Sequence, residues 1–228
     1  DGRLRGVVDT LDALEPSKVV ILGHQSRPGK SDFTSMSKHC ERLSEILERP
    51  IKFVPDICGD EAIEQIKNMS DGEIIFLDNV RRNEEEYGVK YSSNKDTEET
   101  DIVARLSSVS DVFVTDAFAA AHRRSPTLTG FTNSLPCIAG TLMEKEISSL
   151  RTALRDPPSP YLAILGGAKC DDSVRVALNL ISKGEVDRIA FVGVTGNLML
   201  WINGNDIGER NRDFIRNTLG DDFEIAWE

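Results

Sequence analysis

The feature that most restricts the fold of this chain is a repeated hand-over. A short run rich in Val and Ile gives way to a longer segment whose apolar residues recur every three or four positions. Leu4, Val7, Leu11 and Leu14 recur at helical spacing ahead of Pro16, and residues 18–23 (Lys-Val-Val-Ile-Leu-Gly) then read as a strand. Met36, Cys40, Leu43 and Leu47 mark a second amphipathic helix closed by Pro50, followed by a strand over 51–54. Ile63, Ile66 and Met69 mark a third helix before a strand over 73–77. An acidic, polar stretch through Thr100 reads as a surface excursion. A helix over 102–109 then precedes a strand over 111–115. Short apolar strands separated by helices predict βα units and a mainly parallel sheet buried on both faces. The chain starts at Asp1 and opens on a helix with no strand to feed it, so this reading expects a fragment.

After Gly140 the pattern changes. Met143, Ile147, Leu150 and Leu154 form a long helical stripe, which Asp156-Pro157-Pro158-Ser159-Pro160 should end abruptly. A second βα series follows, with a strand over 161–165, a helix near 172–181 and a strand over 188–192. A helix and a proline-rich break between two βα series predict a domain boundary.

A net charge of −11 argues against a nucleic-acid partner, whose phosphates most of this surface would repel. No apolar run reaches the length of a membrane-spanning helix. Cys40, Cys58, Cys137 and Cys170 are scattered without a CxxC pair and read as structural thiols of a reducing cytoplasm. His24, His39 and His122 lack metal-ligand spacing, so no metal site is expected.

An acidic chain can still bind a small anion if its few cations converge. Ligands of open parallel α/β sheets sit beyond the carboxyl ends of the strands. There this sequence places His24-Gln25-Ser26-Arg27, then Asp78-Asn79-Val80-Arg81-Arg82, then a run from Asp116 to His122-Arg123-Arg124, while Arg3 opens the first helix. Singly, each arginine reads as a solvated surface residue. Following successive strands, they predict a basic cleft for a small phosphate- or carboxylate-bearing anion, because guanidinium groups make bidentate contacts with both. His24 is read as a hydrogen-bond donor to that anion rather than a general base. His122 is read equally as packing or ligand, and His39 as structural.

Gly166-Gly167-Ala168-Lys169 lies between a strand and a helix, where glycines let backbone N–H groups approach a phosphate. Taken alone, it reads as a tight turn with a solvated lysine. Residues 193–197 (Gly-Val-Thr-Gly-Asn) read as a second small-residue turn. Neither GxxxxGK[ST] nor GxGxxG is present, which weighs against a P-loop protein and a nicotinamide dehydrogenase.

Five segments in order resemble phosphoglycerate kinases. Gly23-His24-Gln25-Ser26-Arg27-Pro28 resembles the family's THQGRP loop, and Phe76-Leu77-Asp78-Asn79-Val80-Arg81 its LLENLR segment. Residues 115–123 resemble NDAFGTAHR, residues 142–147 the hinge helix, and residues 163–169 match AILGGAK. The resemblance implies an α/β fold of two Rossmann-like, doubly wound βα domains joined by a hinge helix, the second incomplete. Residues 1–139 would be the phosphoglycerate-binding domain, 140–156 the hinge helix, and 157–228 the first part of the nucleotide-binding domain. It implies reversible phosphoryl transfer between 1,3-bisphosphoglycerate and ADP, giving 3-phosphoglycerate and ATP, with Mg²⁺ carried on the nucleotide. Arg3, His24, Gln25, Ser26, Arg27, Arg81 and Arg123 would hold the phosphoglycerate. Gly167, Ala168, Lys169 and Gly193 would meet the nucleotide, and Arg3 and Lys169 would be catalytic. A cytoplasmic monomer is expected.

The sequence departs from that pattern at Ser173, where many relatives carry a second lysine. This and the altered turn at Gly193 point to the archaeal branch. The family's first strand and its later nucleotide-binding segments are not in this sequence, so the chain as it stands is expected not to complete a catalytic cycle. The alternative is a non-catalytic phosphate-binding module of the same fold.

Overall fold

The computed structural model describes residues 1–155, 157–184 and 186–220. The chain is an α/β protein with parallel strand pairing throughout its described residues. It divides into two compact units, Asp1–Ile147 and Ser148–Glu228.

In the first unit, β1 (Val19–Ile21), β2 (Lys52–Val54) and β3 (Ile74–Leu77) form a parallel sheet in the order β1-β3-β2. Val19 pairs with Ile74, and Phe53 with Phe76. The central strand β3 is buried along its whole length. Side chains of a strand alternate between faces, so Ile75 and Leu77 point one way and Phe76 the other. Ile75 and Leu77 join a core with Val54, Ala62, Ile66, Ile102, Val103, Leu106 and Phe131. Phe76 packs into a second core with Leu11, Met36, Cys40 and Leu43. Cys40 and Leu43 come from the helix Ser37–Leu47, whose apolar stripe the sequence displays.

A second parallel pair joins β4 (Phe113–Thr115) to β5 (Cys137–Ala139). The sequence reading did not anticipate β5, which has three residues and follows directly on Pro136. β1, β2 and β4 are equally short, but β5 (Cys-Ile-Ala) holds a single residue of high strand propensity.

The second unit holds β6 (Leu162–Gly166) and β7 (Arg188–Val192), paired from Leu162–Arg188 to Gly166–Val192. Cys170, Leu198, Ile215 and Leu219 form its core. Burial of the sheet on both faces does not hold here. Ala163 is buried, but its neighbours Leu162 and Ile164 are exposed, so the described residues leave one face of β6 uncovered.

Other expectations are corrected as well. The opening helix is two, Gly2–Arg5 and Val8–Ala13, broken at Gly6 and Val7. Residues 193–197 are not a turn, because β7 runs directly into the helix Gly193–Ile202. The acidic surface stretch carries regular structure. It forms the helices Glu84–Tyr87 and Asn94–Glu98 and buries Thr97 and Thr100. Its carboxylates satisfy helix starts, whose first N–H groups lack intrahelical partners. Glu85 accepts from the N–H groups of Asp101 and Ile102 (both 3.0 Å), and Glu86 from Thr127 N–H (2.9 Å) and the hydroxyls of Ser125 and Thr127.

The long stripe from Met143 to Leu154 forms the helix Thr141–Arg155, within which the division between the units falls. Asp156, the first residue of the proline-rich break, lies outside the described residues, as do Glu185 and 221–228 of the predicted segment 157–228. All four cysteines are free thiols, with Cys40, Cys58 and Cys170 buried and Cys137 exposed. No helix among the described residues is long and apolar enough to cross a membrane.

Candidate functional site

The first unit gathers its cations beyond the carboxyl ends of its strands. His24 follows β1, Arg81 lies in a 3₁₀ turn (Val80–Arg82) after β3, and Arg123 lies in the loop after β4. A guanidinium nitrogen of Arg123 lies 3.4 Å from Nε2 of His24, across 99 positions of sequence. The imidazole is pushed down to about 4, first by burial and then by the positive charges of Arg81, Arg123 and Arg3. His24 is therefore a neutral imidazole at neutral pH. Arg81 in turn is lowered by its own burial and by the charge of Arg123, with a smaller contribution from Arg27. Arg3, Arg27, Arg81 and Arg123 thus form one electrostatic cluster around His24.

No carboxylate among the described residues ion-pairs with it, although the charge of Glu86 raises Arg81. Among the described residues none of these four arginines takes part in an ion pair, although Arg42, Arg49, Arg82, Arg105, Arg212 and Arg216 all do. Like charges held together repel, and the fold sustains them here with Arg3, Arg27 and Arg123 exposed to solvent. Such an arrangement suits an anion, which would remove the repulsion and accept several charge-assisted hydrogen bonds at once.

Arg81 is fixed more firmly than its neighbours. One of its guanidinium nitrogens donates to the Ser26 carbonyl, its backbone N–H donates to Asn79 Oδ1 (3.3 Å), and its guanidinium lies 5.6 Å from the Tyr87 ring centre. Ser26 adopts a left-handed backbone conformation (φ 55°), and its hydroxyl donates to Asp32. Gln25 is half-buried in the same loop.

Other cations after the strands do structural work. Arg82 pairs with Asp78 (3.3 Å), and Arg124 donates to the carbonyls of Tyr91 and Ser92 and to Asn94 Oδ1. His122 is exposed. His39 is half-buried on the helix Ser37–Leu47, its Nδ1 buried without a hydrogen-bond partner.

The sequence reading missed three residues that build this site. Asp78 and Asn79, directly after β3, are buried and bond the loop between β1 and the helix Ser37–Leu47. Asp116, directly after β4, accepts from Thr10 Oγ1 (2.7 Å) and from Met143 N–H (2.9 Å), while Thr10 Oγ1 accepts from Thr141 N–H (2.9 Å). Asp116 thus ties the loop carrying Arg123 to the start of the helix Thr141–Arg155. The available signal was an acid or amide immediately after a buried strand, a place where a polar side chain needs partners.

In the second unit the turn after β6 lies beside the start of the helix Gly193–Ile202, which directly follows β7. Gly167 (φ 125°) and Gly193 (φ 62°) occupy backbone conformations that favour glycine, and a Cβ on Gly193 would stand 3.9 Å from Gly167 N. Thr195, fully buried in that helix, donates to the Gly167 carbonyl (3.2 Å) and holds the turn against the helix start. Ala168 and Lys169 are exposed, and Lys169 is the N-cap residue of the helix Cys170–Lys183. Open backbone at a helix start, beside a lysine, fits the phosphate chain of a nucleotide. A groove of about 320 Å³ runs along the helix Gly193–Ile202, lined by Phe191, Gly193, Gly196, Asn197 and Leu200 among others. Ser173 stands where a second lysine would, and its hydroxyl donates to the Gly166 carbonyl (3.4 Å).

The family model described as Phosphoglycerate kinase matches residues 1–221. The phosphoglycerate kinase of Thermoplasma acidophilum is 44% identical over 219 residues, covering 96% of this chain and 53% of that protein. That of Methanothermus fervidus is 46% identical over 217 residues, covering 94% and 52%. The crystal structure of phosphoglycerate kinase from Pyrococcus horikoshii OT3 superposes with a TM-score of 0.94 at 38% identity, covering all of this chain and 56% of that one. The structure of the Coxiella burnetii phosphoglycerate kinase gives 0.67 at 26% identity, covering 100% and 57%. The chain spans about half the length of the curated relatives it matches. With its arginine cluster after the first strands, its glycine turn ahead of Lys169, and a family match running through nearly all its residues, the chain belongs to the phosphoglycerate kinase family.

Proposed function

We propose that the protein transfers a phosphoryl group reversibly between 1,3-bisphosphoglycerate and ADP, giving 3-phosphoglycerate and ATP. The observation that carries this reading is the cluster of Arg3, Arg27, Arg81 and Arg123 around a neutral His24, with no ion-paired carboxylate. Residues 1–139 bind the phosphoglycerate, 140–156 are the hinge, and 157–228 belong to the nucleotide-binding part. The cytoplasmic, monomeric assignment rests on the family resemblance.

Arg3, Arg27, Arg81 and Arg123 hold the phosphate and carboxylate of phosphoglycerate. Arg81 has N–H donors to spare beyond the one given to Ser26. His24, being neutral, donates one ring N–H without adding to the charge, and Gln25 and Ser26 complete the loop. Gly167, Ala168 and Gly193 accept the nucleotide phosphates on backbone N–H groups, and Mg²⁺ arrives bound to the nucleotide as part of the substrate. Arg3 and Lys169 stabilise the charge that spreads over the phosphoryl oxygens during transfer. The bond from phosphorus to the acyl oxygen breaks as the bond to the ADP terminal oxygen forms, and the carboxylate leaves without needing a proton. Such a reaction depends on positioning and cationic stabilisation rather than on a covalent catalyst.

The test has two parts. Titration of the chain with 3-phosphoglycerate should show binding that competes with inorganic phosphate and weakens with salt. The intact gene product should form ADP from 3-phosphoglycerate and MgATP. Absence of both the binding and the transfer would overturn the reading.

A further inference from the structure

The loop bearing His24, Gln25, Ser26 and Arg27 runs from the end of β1 to the start of the helix Ser37–Leu47. It contains no regular secondary structure, and Ser26 within it holds a left-handed conformation that a non-glycine residue adopts only when its surroundings impose it. The segment after β3 bonds this loop at several points. Asn79 Nδ2 donates to two carbonyls of the loop, Gln25 O (2.9 Å) and Thr34 O (2.8 Å), and its Oδ1 accepts from the Arg81 N–H (3.3 Å). Both amide hydrogens and the amide oxygen are used, and the residue is fully buried. Val80 N–H donates to the Gly23 carbonyl (3.1 Å). Asp78 accepts from Ser35 Oγ and Met36 N–H (both 2.8 Å). Burial pushes the Asp78 carboxyl up, but hydrogen bonds from Met36, Asn79 and Ser35 and the charge of Arg82 bring it below its ordinary value. It therefore remains an acceptor across the neutral range.

We propose that Asn79 is a positioning residue for the anion cleft, the one side chain that sets both the loop presenting His24 to Arg27 and the backbone from which Arg81 reaches Ser26. The inference rests on the phosphoglycerate reading of that cleft but adds a residue outside the ligand's reach. Its geometry explains the role. Gln25 directly follows His24, and Thr34 lies near the far end of the loop, so a single planar amide spans both ends of the segment. Without it, the Gln25 and Thr34 carbonyls lose these donors and Ser26 loses the frame that holds its conformation. His24 and Arg27 then move independently of Arg81 and Arg123, and the cations no longer converge.

A purely structural role would lower the melting temperature and do nothing else, so the experiment reads the cleft directly. The imidazole of His24 is followed by NMR through a pH titration in the chain without ligand, and binding is measured with 3-phosphoglycerate. Asn79→Ala removes all three bonds; Asn79→Ser keeps one donor for two carbonyls. Ile66→Ala, a core change away from the loop, serves as the destabilised control. In both Asn79 variants His24 should titrate closer to the ordinary imidazole value, and 3-phosphoglycerate should bind at least tenfold more weakly. The control should move neither. An unchanged His24 titration with affinity within twofold of the parent would overturn the inference while leaving the phosphoglycerate reading intact. If the parent binds no 3-phosphoglycerate and the intact gene product transfers no phosphoryl group, that reading fails, and the ligand-free His24 titration alone decides the role of Asn79. Should Asn79→Ala not fold, Asn79→Ser carries the same two readouts.

Discussion

Acid is expected to weaken the first unit through a single imidazole. His24 is lowered from 6.5 to about 4, by burial and by Arg81, Arg123 and Arg3. The folded state therefore binds this proton less readily than the unfolded chain. Stability is fully present above the unfolded value and is lost as pH falls through 6.5 towards 4. At about pH 5 linkage gives a loss of roughly 2 kcal/mol. Solvent at the open side of the cluster reduces this to about 1 kcal/mol. The assay is urea unfolding of the chain and of His24→Gln, each near neutral pH and at mildly acidic pH. Carboxylates titrate in both proteins, so the difference between the two pH dependences isolates His24, and the variant should lose about 1 kcal/mol less. A bound anion should reverse the effect. By neutralising the surrounding guanidinium groups, 3-phosphoglycerate should raise the His24 value and take up a proton as pH falls through the new range. NMR of the ring with and without ligand reads both numbers. A ring titrating near 6.5 in the free chain would refute the reasoning, because it would place His24 away from the arginines.

Three further outcomes follow from the geometry. Arg27→Ala and Arg123→Ala should each weaken 3-phosphoglycerate binding by about 1.5–3 kcal/mol, the range for a lost charge-assisted contact, and calorimetry that finds both unchanged would return them to solvated surface residues. In the intact gene product, Lys169→Met should lower kcat and kcat/KM together, while Ser173→Lys is tolerated; turnover within a few-fold of the parent would remove Lys169 from the reaction. Asp116→Ala should cost about 2–4 kcal/mol in denaturant unfolding, since it leaves Thr10 and the start of the helix Thr141–Arg155 without their shared acceptor, and a cost below about 0.5 kcal/mol would show that water replaces it.

Much of the architecture was legible because it depends on short-range pattern. The Val- and Ile-rich runs at β1, β3 and β7 and the stripe Cys40, Leu43, Leu47 signal their elements with no knowledge of their partners. The positions of Arg27, Arg81 and Arg123 after successive strands were likewise readable, because parallel βα order brings strand ends to one edge. What the pattern did not reveal were elements poor in β-branched residues or rich in glycine, such as β5 and the helix Gly193–Ile202.

By itself, then, the sequence determined the α/β class, the succession of its principal strands and helices, and which arginines stand at strand ends. Only the tertiary structure decided that these arginines share one field, that His24 is neutral within it, and that Asn79 and Asp116 hold the loops. The reason is separation along the chain: Asn79 acts on a carbonyl 54 positions away, Arg123 approaches an imidazole 99 away, and Thr10 meets Asp116 across 106. An amide or carboxylate after a strand looks the same in sequence whether it faces water or two carbonyls of a neighbouring loop. Folding alone supplies the partner, and with it the burial and the charge that give each group its role.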